Sequence, residues 1–145
     1  MFHRHPFLSL VTFVYLGFVA WLTLTPRPFD QSFVVRVLDA FHRRGYFERL
    51  TYDRLEFLAN IGLFVPIGMF LLLLFGAGLW WLAGISSFFL TSAIETVQRD
   101  IPGRVSDPRD VVANTVGALF GIFVTLILTL PATLRRRRER REAFL

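Results

Sequence analysis

Residues 95–121 read ETVQRDIPGRVSDPRDVVANTVGALFG and lie between two apolar runs. Glu95 and Gln98 are three apart at the end of the first run. Asp107, Asp110 and Asn114 stand at i, i+3 and i+7 where the second begins. Helical spacing puts each set on one face. If the flanking runs are membrane spans joined by the turn from Arg99 to Ser106, the two faces meet at one bilayer surface. Ionisable groups in that setting are costly and usually mark function.

Working outward, residues 57–97 contain a single charge, Glu95. As one helix this run would be about 60 Å long, twice the hydrocarbon thickness. It must fold back on itself, and Gly76-Ala77-Gly78 is the place for the turn. Spans are expected at about 57–75 and 79–98, with Trp80 and Trp81 at interfacial depth. The first of these carries Asn60, Gly62, Pro66 and Gly68, and a kink is expected at Pro66. Asn60 lies four residues after Glu56, on the face that reaches the same membrane surface as Glu95.

Two further spans complete the set. Phe7 to Leu24 is just long enough to cross a bilayer. A signal peptide is the alternative, but the run is long for one and ends in Thr23-Leu24-Thr25-Pro26 without a small-x-small cleavage site. The last span is expected at about 111–130, stopping at Pro131. Within it Ala113, Gly117 and Gly121 repeat every four residues, the pattern that lets helix backbones pack closely.

Composition agrees with this layout. The chain has 145 residues, 54% of them apolar, with seventeen Phe and a mean hydropathy of +0.52. Such a chain forms one small integral membrane domain. It has no cysteine, so disulfides and Cys-ligated zinc are excluded. The formal charge of +5 comes largely from Arg135-Arg136-Arg137-Arg138-Glu139-Arg140-Arg141. After a final span this reads as a cytoplasmic anchor rather than a nucleic-acid site. Four spans put both termini on one side, and the arginines make that side the cytoplasm. Residues 1–134 then form the membrane domain and 135–145 its Arg-rich tail.

The segment 25–56 carries six Arg and five acidic residues. Its apolar positions Phe29, Phe33, Val37 and Phe41, with Val34 and Leu38, make an i, i+4 stripe that suggests a helix lying in the interface. A partly ordered loop is the alternative. The expected fold is thus an all-α bundle of four transmembrane helices with an amphipathic segment between the first and second.

Glu95-x-x-Gln98, then Arg104-x-Ser106-Asp107-x-x-Asp110-x-x-x-Asn114-x-x-Gly117-x-x-x-Gly121, with the earlier Asn60-x-x-Leu63-Phe64-x-Pro66-x-Gly68 and Leu22-Thr23-Leu24-Thr25-Pro26, resembles the VanZ-like family of small bacterial membrane proteins. The resemblance runs from residue 22 to 121. It implies a link to reduced susceptibility to teicoplanin and related lipoglycopeptides. Many members carry a His shortly before the second span, where this chain reads Asp53-Arg54-Leu55-Glu56-Phe57.

Three readings of the polar cluster stand side by side. In the first, Glu95, Gln98, Arg104, Asp107, Asp110 and Asn114 form a hydrogen-bonded clamp between helices. In the second, these residues with Asn60 and Ser106 make an outward-facing pocket for a lipid-linked cell-wall component or a lipoglycopeptide. Arg104 and Arg109 would then meet phosphate. In the third, Glu95 or Asp110 acts as a general acid or base, with Glu95, Asp107 and Asp110 as candidate oxygen ligands for a divalent cation. The only histidines are His3, His5 and His42, and no serine elbow or phosphate loop is present, so the sequence points away from an enzyme. No cofactor is implied. The expected partners are membrane lipids, with a homo-oligomer left open.

Overall fold

The computed structural model describes residues 6–26, 31–45, 51–102 and 107–142, with the side chains of 31–33 and 132–142 outside the description. These residues form five α-helices: α1 Pro6–Leu24, α2 Gln31–His42, α3 Tyr52–Phe75, α4 Trp80–Gln98 and α5 Pro108–Glu142. A single 3-10 turn, Ala77–Leu79, joins α3 to α4. Among the described residues four stretches are long and apolar enough to cross a membrane: Pro6–Leu24, Tyr52–Phe75, Ala77–Gln98 and Pro108–Pro131. The protein is a multi-pass membrane protein.

Cross-helix hydrogen bonds define the directions. Asn60, near the start of α3, bonds Asp110, near the start of α5. Gln98, at the end of α4, bonds the carbonyl of Thr23, at the end of α1. Helices α3 and α5 therefore run one way and α1 and α4 the other. The connections 25–51 and 99–107 share one membrane face, and the Gly76 turn lies at the opposite face.

That turn forms where the apolar run needs it. Gly76 has φ 87° and donates its N–H to the Leu72 carbonyl at 2.7 Å. Left-handed backbone of this kind favours glycine. At its other end α3 starts five residues earlier than the sequence suggests, because Thr51 caps it by accepting from the Arg54 N–H. Asp53 and Glu56 thus stand on helical positions.

The tightest interface is α3 against α5, and it is backbone against backbone. A Cβ at Gly117 would overlap the Ile61 carbonyl, one at Gly121 the Val65 carbonyl, and one at Gly68 the Ala118 carbonyl. Burial of apolar surface gives little drive between helices already in lipid, so close van der Waals contact carries the association. Around this seam Val19, Phe64, Ile67, Ile94 and Ala118 form one buried cluster, and Leu72, Ala83 and Ile122 a second.

Helix α1 packs along α3 and α4. Pro66 runs inside α3 and cannot donate to the carbonyl of Gly62. The next carbonyl, Leu63, accepts the Tyr15 hydroxyl of α1 at 2.8 Å. Most buried hydroxyls satisfy themselves on their own helix: Thr12 on Leu8, Thr23 on Val19, Ser87 on Ala83 and Thr125 on Gly121.

The last apolar span ends at Pro131, as the sequence suggests, but the helix does not. The helix runs through Pro131 to Glu142. Proline removes one hydrogen bond, but at the end of the apolar stretch the freed carbonyl meets the polar interface. The residues that follow, rich in Ala, Leu, Arg and Glu, are strong helix formers. The expected amphipathic helix is α2, on which Leu38 is buried while Val37 and Phe41 are exposed. Phe29 lies outside the described residues, as does the side chain of Phe33.

Candidate functional site: a polar cluster at one end of the bundle

The buried face of α4 reads Ala83, Ser87, Thr91, Ile94, Glu95 and Gln98. It begins apolar and small and becomes polar toward the helix end, so the bundle interior changes character with depth. Glu95 is 4% exposed and Gln98 8%. Opposite them, α5 presents Asp110, half-buried, and Asn114, 5% exposed. Helix α3 contributes Asn60.

Three hydrogen bonds fix the arrangement. Asn60 Nδ2 donates to Asp110 Oδ1 at 2.8 Å, linking α3 to α5. Asn114 Nδ2 donates to Thr91 Oγ1 at 2.8 Å, linking α5 to α4. Gln98 Nε2 donates to the Thr23 carbonyl at 2.8 Å, linking α4 to α1. The last carbonyls of a helix have no partner within it, so Gln98 caps α1 from a neighbouring helix. Each bond joins a different helix pair at the same end of the molecule.

Asp107 has a local task. Its Oδ1 accepts the Arg109 N–H at 2.8 Å, and its carbonyl accepts the Asp110 N–H at 2.8 Å. With Pro108 at the first helical position this is an N-cap of α5. The cap fixes where α5 starts and so where Asp110 and Asn114 face. The carboxylates of Glu56, Glu95 and Asp107 lie close enough to Asp110 to act on its charge. Arg109 is exposed in the first turn of α5.

The structure thus brings Asn60, Glu95, Gln98, Asp110 and Asn114 to one end of the bundle and places Asp107 at its rim. Arg104 and Ser106 lie outside the described residues. Among the described residues no group of three or more His, Cys, Asp or Glu side chains is placed to hold a metal ion. The packing residues Gly117 and Gly121 do meet α3, and Pro66 sits inside that helix.

Thr91 is a member of the cluster that the motif alone does not reveal. It is 1% exposed and receives Asn114. Its signal was its place four residues before Glu95, on the same helical face. One feature of the cluster is unusual. Asn114 Oδ1 is buried without a hydrogen-bond partner, as is the hydroxyl of Thr115 beside it. Buried polar atoms in native structures are nearly always paired, so the amide of Asn114 uses only its donor side.

A cluster of this kind can bind, by presenting carboxylates and amides to a polar head group, or can hold helices together. Both uses need the same residue types, because a low-dielectric setting strengthens every polar contact. No curated protein matches the chain, and no solved structure matches it. The model of one family, VanZ/LLP1, matches residues 12–129, which takes in the second and third apolar spans, most of the first and last, and the whole polar cluster. The chain belongs to the VanZ/LLP1 family.

Proposed function

We propose that this VanZ/LLP1 member resides in a bacterial plasma membrane with both termini in the cytoplasm. Its polar cluster then faces outward and recognises a cell-envelope or lipid-linked component, lowering susceptibility to teicoplanin and related lipoglycopeptides. The orientation follows from the six arginines at 135–141, directly after the last apolar span.

The observation that carries the reading is the burial of Glu95, Gln98 and Asn114 beside Asp110 at one end of four apolar spans. Intramembrane ionisable groups are expensive to keep and are functional by default. Arg109, exposed in the first turn of α5, supplies a cation for a phosphate. Asn60 and Asn114 supply neutral amide contacts, and the unpartnered Asn114 Oδ1 adds an acceptor when a neighbouring group moves.

The test is Glu95→Gln in a teicoplanin-sensitive host, with the membrane abundance of wild type and variant quantified. Gln preserves shape and removes charge. Binding by an array of hydrogen bonds predicts partial loss of protection, of a size set by about 1–3 kcal/mol. Complete loss at equal abundance would instead favour a carboxylate in acid–base chemistry.

A second reading has its own observation. Each of the three hydrogen bonds at Asn60, Asn114 and Gln98 joins a different pair of helices. That is what a clamp needs, and it predicts that protein level falls together with protection.

A further inference from the structure

We propose that the continuation of α5 beyond Pro131 is a binding site for anionic phospholipid head groups in the leaflet at which α5 leaves the membrane. The inference rests on helix continuity and charge and is independent of the polar cluster. Helix α5 is unbroken from Pro108 to Glu142, while its apolar stretch ends at Pro131. The apolar 24 residues measure about 36 Å, enough to fill a hydrocarbon layer of about 30 Å with some tilt. Arg135 then stands about 6 Å along the axis beyond Pro131, and Arg141 about 15 Å. The first arginines of the column therefore lie at head-group depth, and the last lie just beyond it.

The sequence of this part decides how it meets the membrane. Arg135, Arg136, Arg137 and Arg138 occupy four successive positions around the helix axis, and Arg140 and Arg141 follow. Steps of 100° distribute six such residues around the whole circumference. No apolar stripe remains on which this part could lie flat in the interface. It projects as a column of six arginines against two glutamates, Glu139 and Glu142. A flexible tail would sample solvent, whereas a helix that continues the span keeps the charges beside the phosphates.

A basic cluster directly after a span attracts anionic lipid, and each arginine near the surface multiplies local affinity on the order of fivefold. Arginine stems are long enough to bend back along a helix toward a phosphate plane. The partner is a phosphate-bearing lipid with net negative charge. Zwitterionic lipid offers the same phosphate with its charge cancelled and should be taken up less.

The chain has no cysteine, so a donor dye can be placed through Thr133→Cys in the full-length protein. This protein is reconstituted in nanodiscs of phosphatidylcholine that contain a minor fraction of acceptor-labelled phosphatidylglycerol or acceptor-labelled phosphatidylcholine. Energy transfer should show phosphatidylglycerol enriched at least about fivefold over phosphatidylcholine, with the enrichment falling as salt rises. Replacing all six arginines with Gln should return it to parity, and replacing them with Lys should retain it, because lipid attraction of this kind needs charge rather than the guanidinium fork. Parity in the wild type, enrichment that survives in the Gln variant, or capture of an oligonucleotide without lipid enrichment would each overturn the proposal. None of these substitutions touches the polar cluster, so the two proposals fail separately.

Discussion

The side-chain amide of Asn60 on α3 donates to the carboxylate of Asp110 on α5 at 2.8 Å, joining residues fifty positions apart. This bond sits directly above the seam where Gly117 and Gly121 meet Ile61 and Val65, backbone to backbone. Polar latch and glycine seam are one interface: the close approach brings Asn60 within reach of Asp110, and the latch fixes the register of the approach.

A double-mutant cycle measures the latch. Asn60→Ala and Asp110→Ala, alone and combined, should show a coupling of about 0.6 kcal/mol, up to about 1.7, which is the range for hydrogen bonds between membrane helices. The readout is resistance of the detergent-solubilised protein to thermal unfolding. Strict additivity would mean that the pair contributes nothing in solution.

The seam itself responds to a single methyl group. Gly117→Ala and Gly121→Ala place a Cβ against the carbonyls of Ile61 and Val65 and should destabilise the fold by about 1–3 kcal/mol, as overpacking does. Gly62→Ala, on α3 and facing open space, should be near neutral. Folded protein recovered from membranes compares the three; equal yields would contradict backbone contact at the seam.

Two hydrogen bonds that tie α1 to its neighbours run from Tyr15 to the Leu63 carbonyl and from Gln98 to the Thr23 carbonyl. Tyr15→Phe and Gln98→Leu should each cost about 0.5–1.5 kcal/mol. Their shared effect is on α1, so limited proteolysis in the 25–51 connection should speed up in both variants. Unchanged cleavage in both would show that apolar packing alone holds α1.

Continuity of α5 through Pro131 is accessible to labelling. Single cysteines introduced one at a time from Leu126 to Leu134 should vary in spin-label mobility with a 3.6-residue period across the proline. Pro131→Ala should raise thermal stability, since Ala restores the missing hydrogen bond. A loss of the period at Pro131 would make the arginine segment a separate flexible tail.

Much of this was legible in the residues. The single charge between Phe57 and Val97 forces a hairpin at Gly76-Ala77-Gly78, and Gly76 is the glycine that takes the positive φ. The motif spacing brought Asn60, Glu95, Asp110 and Asn114 together, because helical periodicity and span direction leave few alternatives. Asp107 was read as part of the site although Asp-Pro at a helix start is a capping signal. Gln98 was grouped with the motif by its face, yet its partner is the end of α1, a tertiary contact that spacing cannot disclose. Thr91 went unnoticed because a threonine in an apolar helix usually bonds its own backbone. Pro131 does end the apolar span, and the helix continues past it because the cost of a proline depends on what surrounds the freed carbonyl, which at a membrane exit is small.

The most direct test of the central claim is teicoplanin susceptibility of a sensitive host expressing wild type or Asp110→Asn, with both proteins quantified in the membrane. Asn keeps the shape of Asp110 and can still accept from Asn60, so the latch survives while the charge is lost. Recognition by the cluster predicts protection by the wild type and a partial loss of it in the variant at equal abundance. Equal protection by both, or protection that falls only in step with protein level, would contradict it and leave the cluster a clamp.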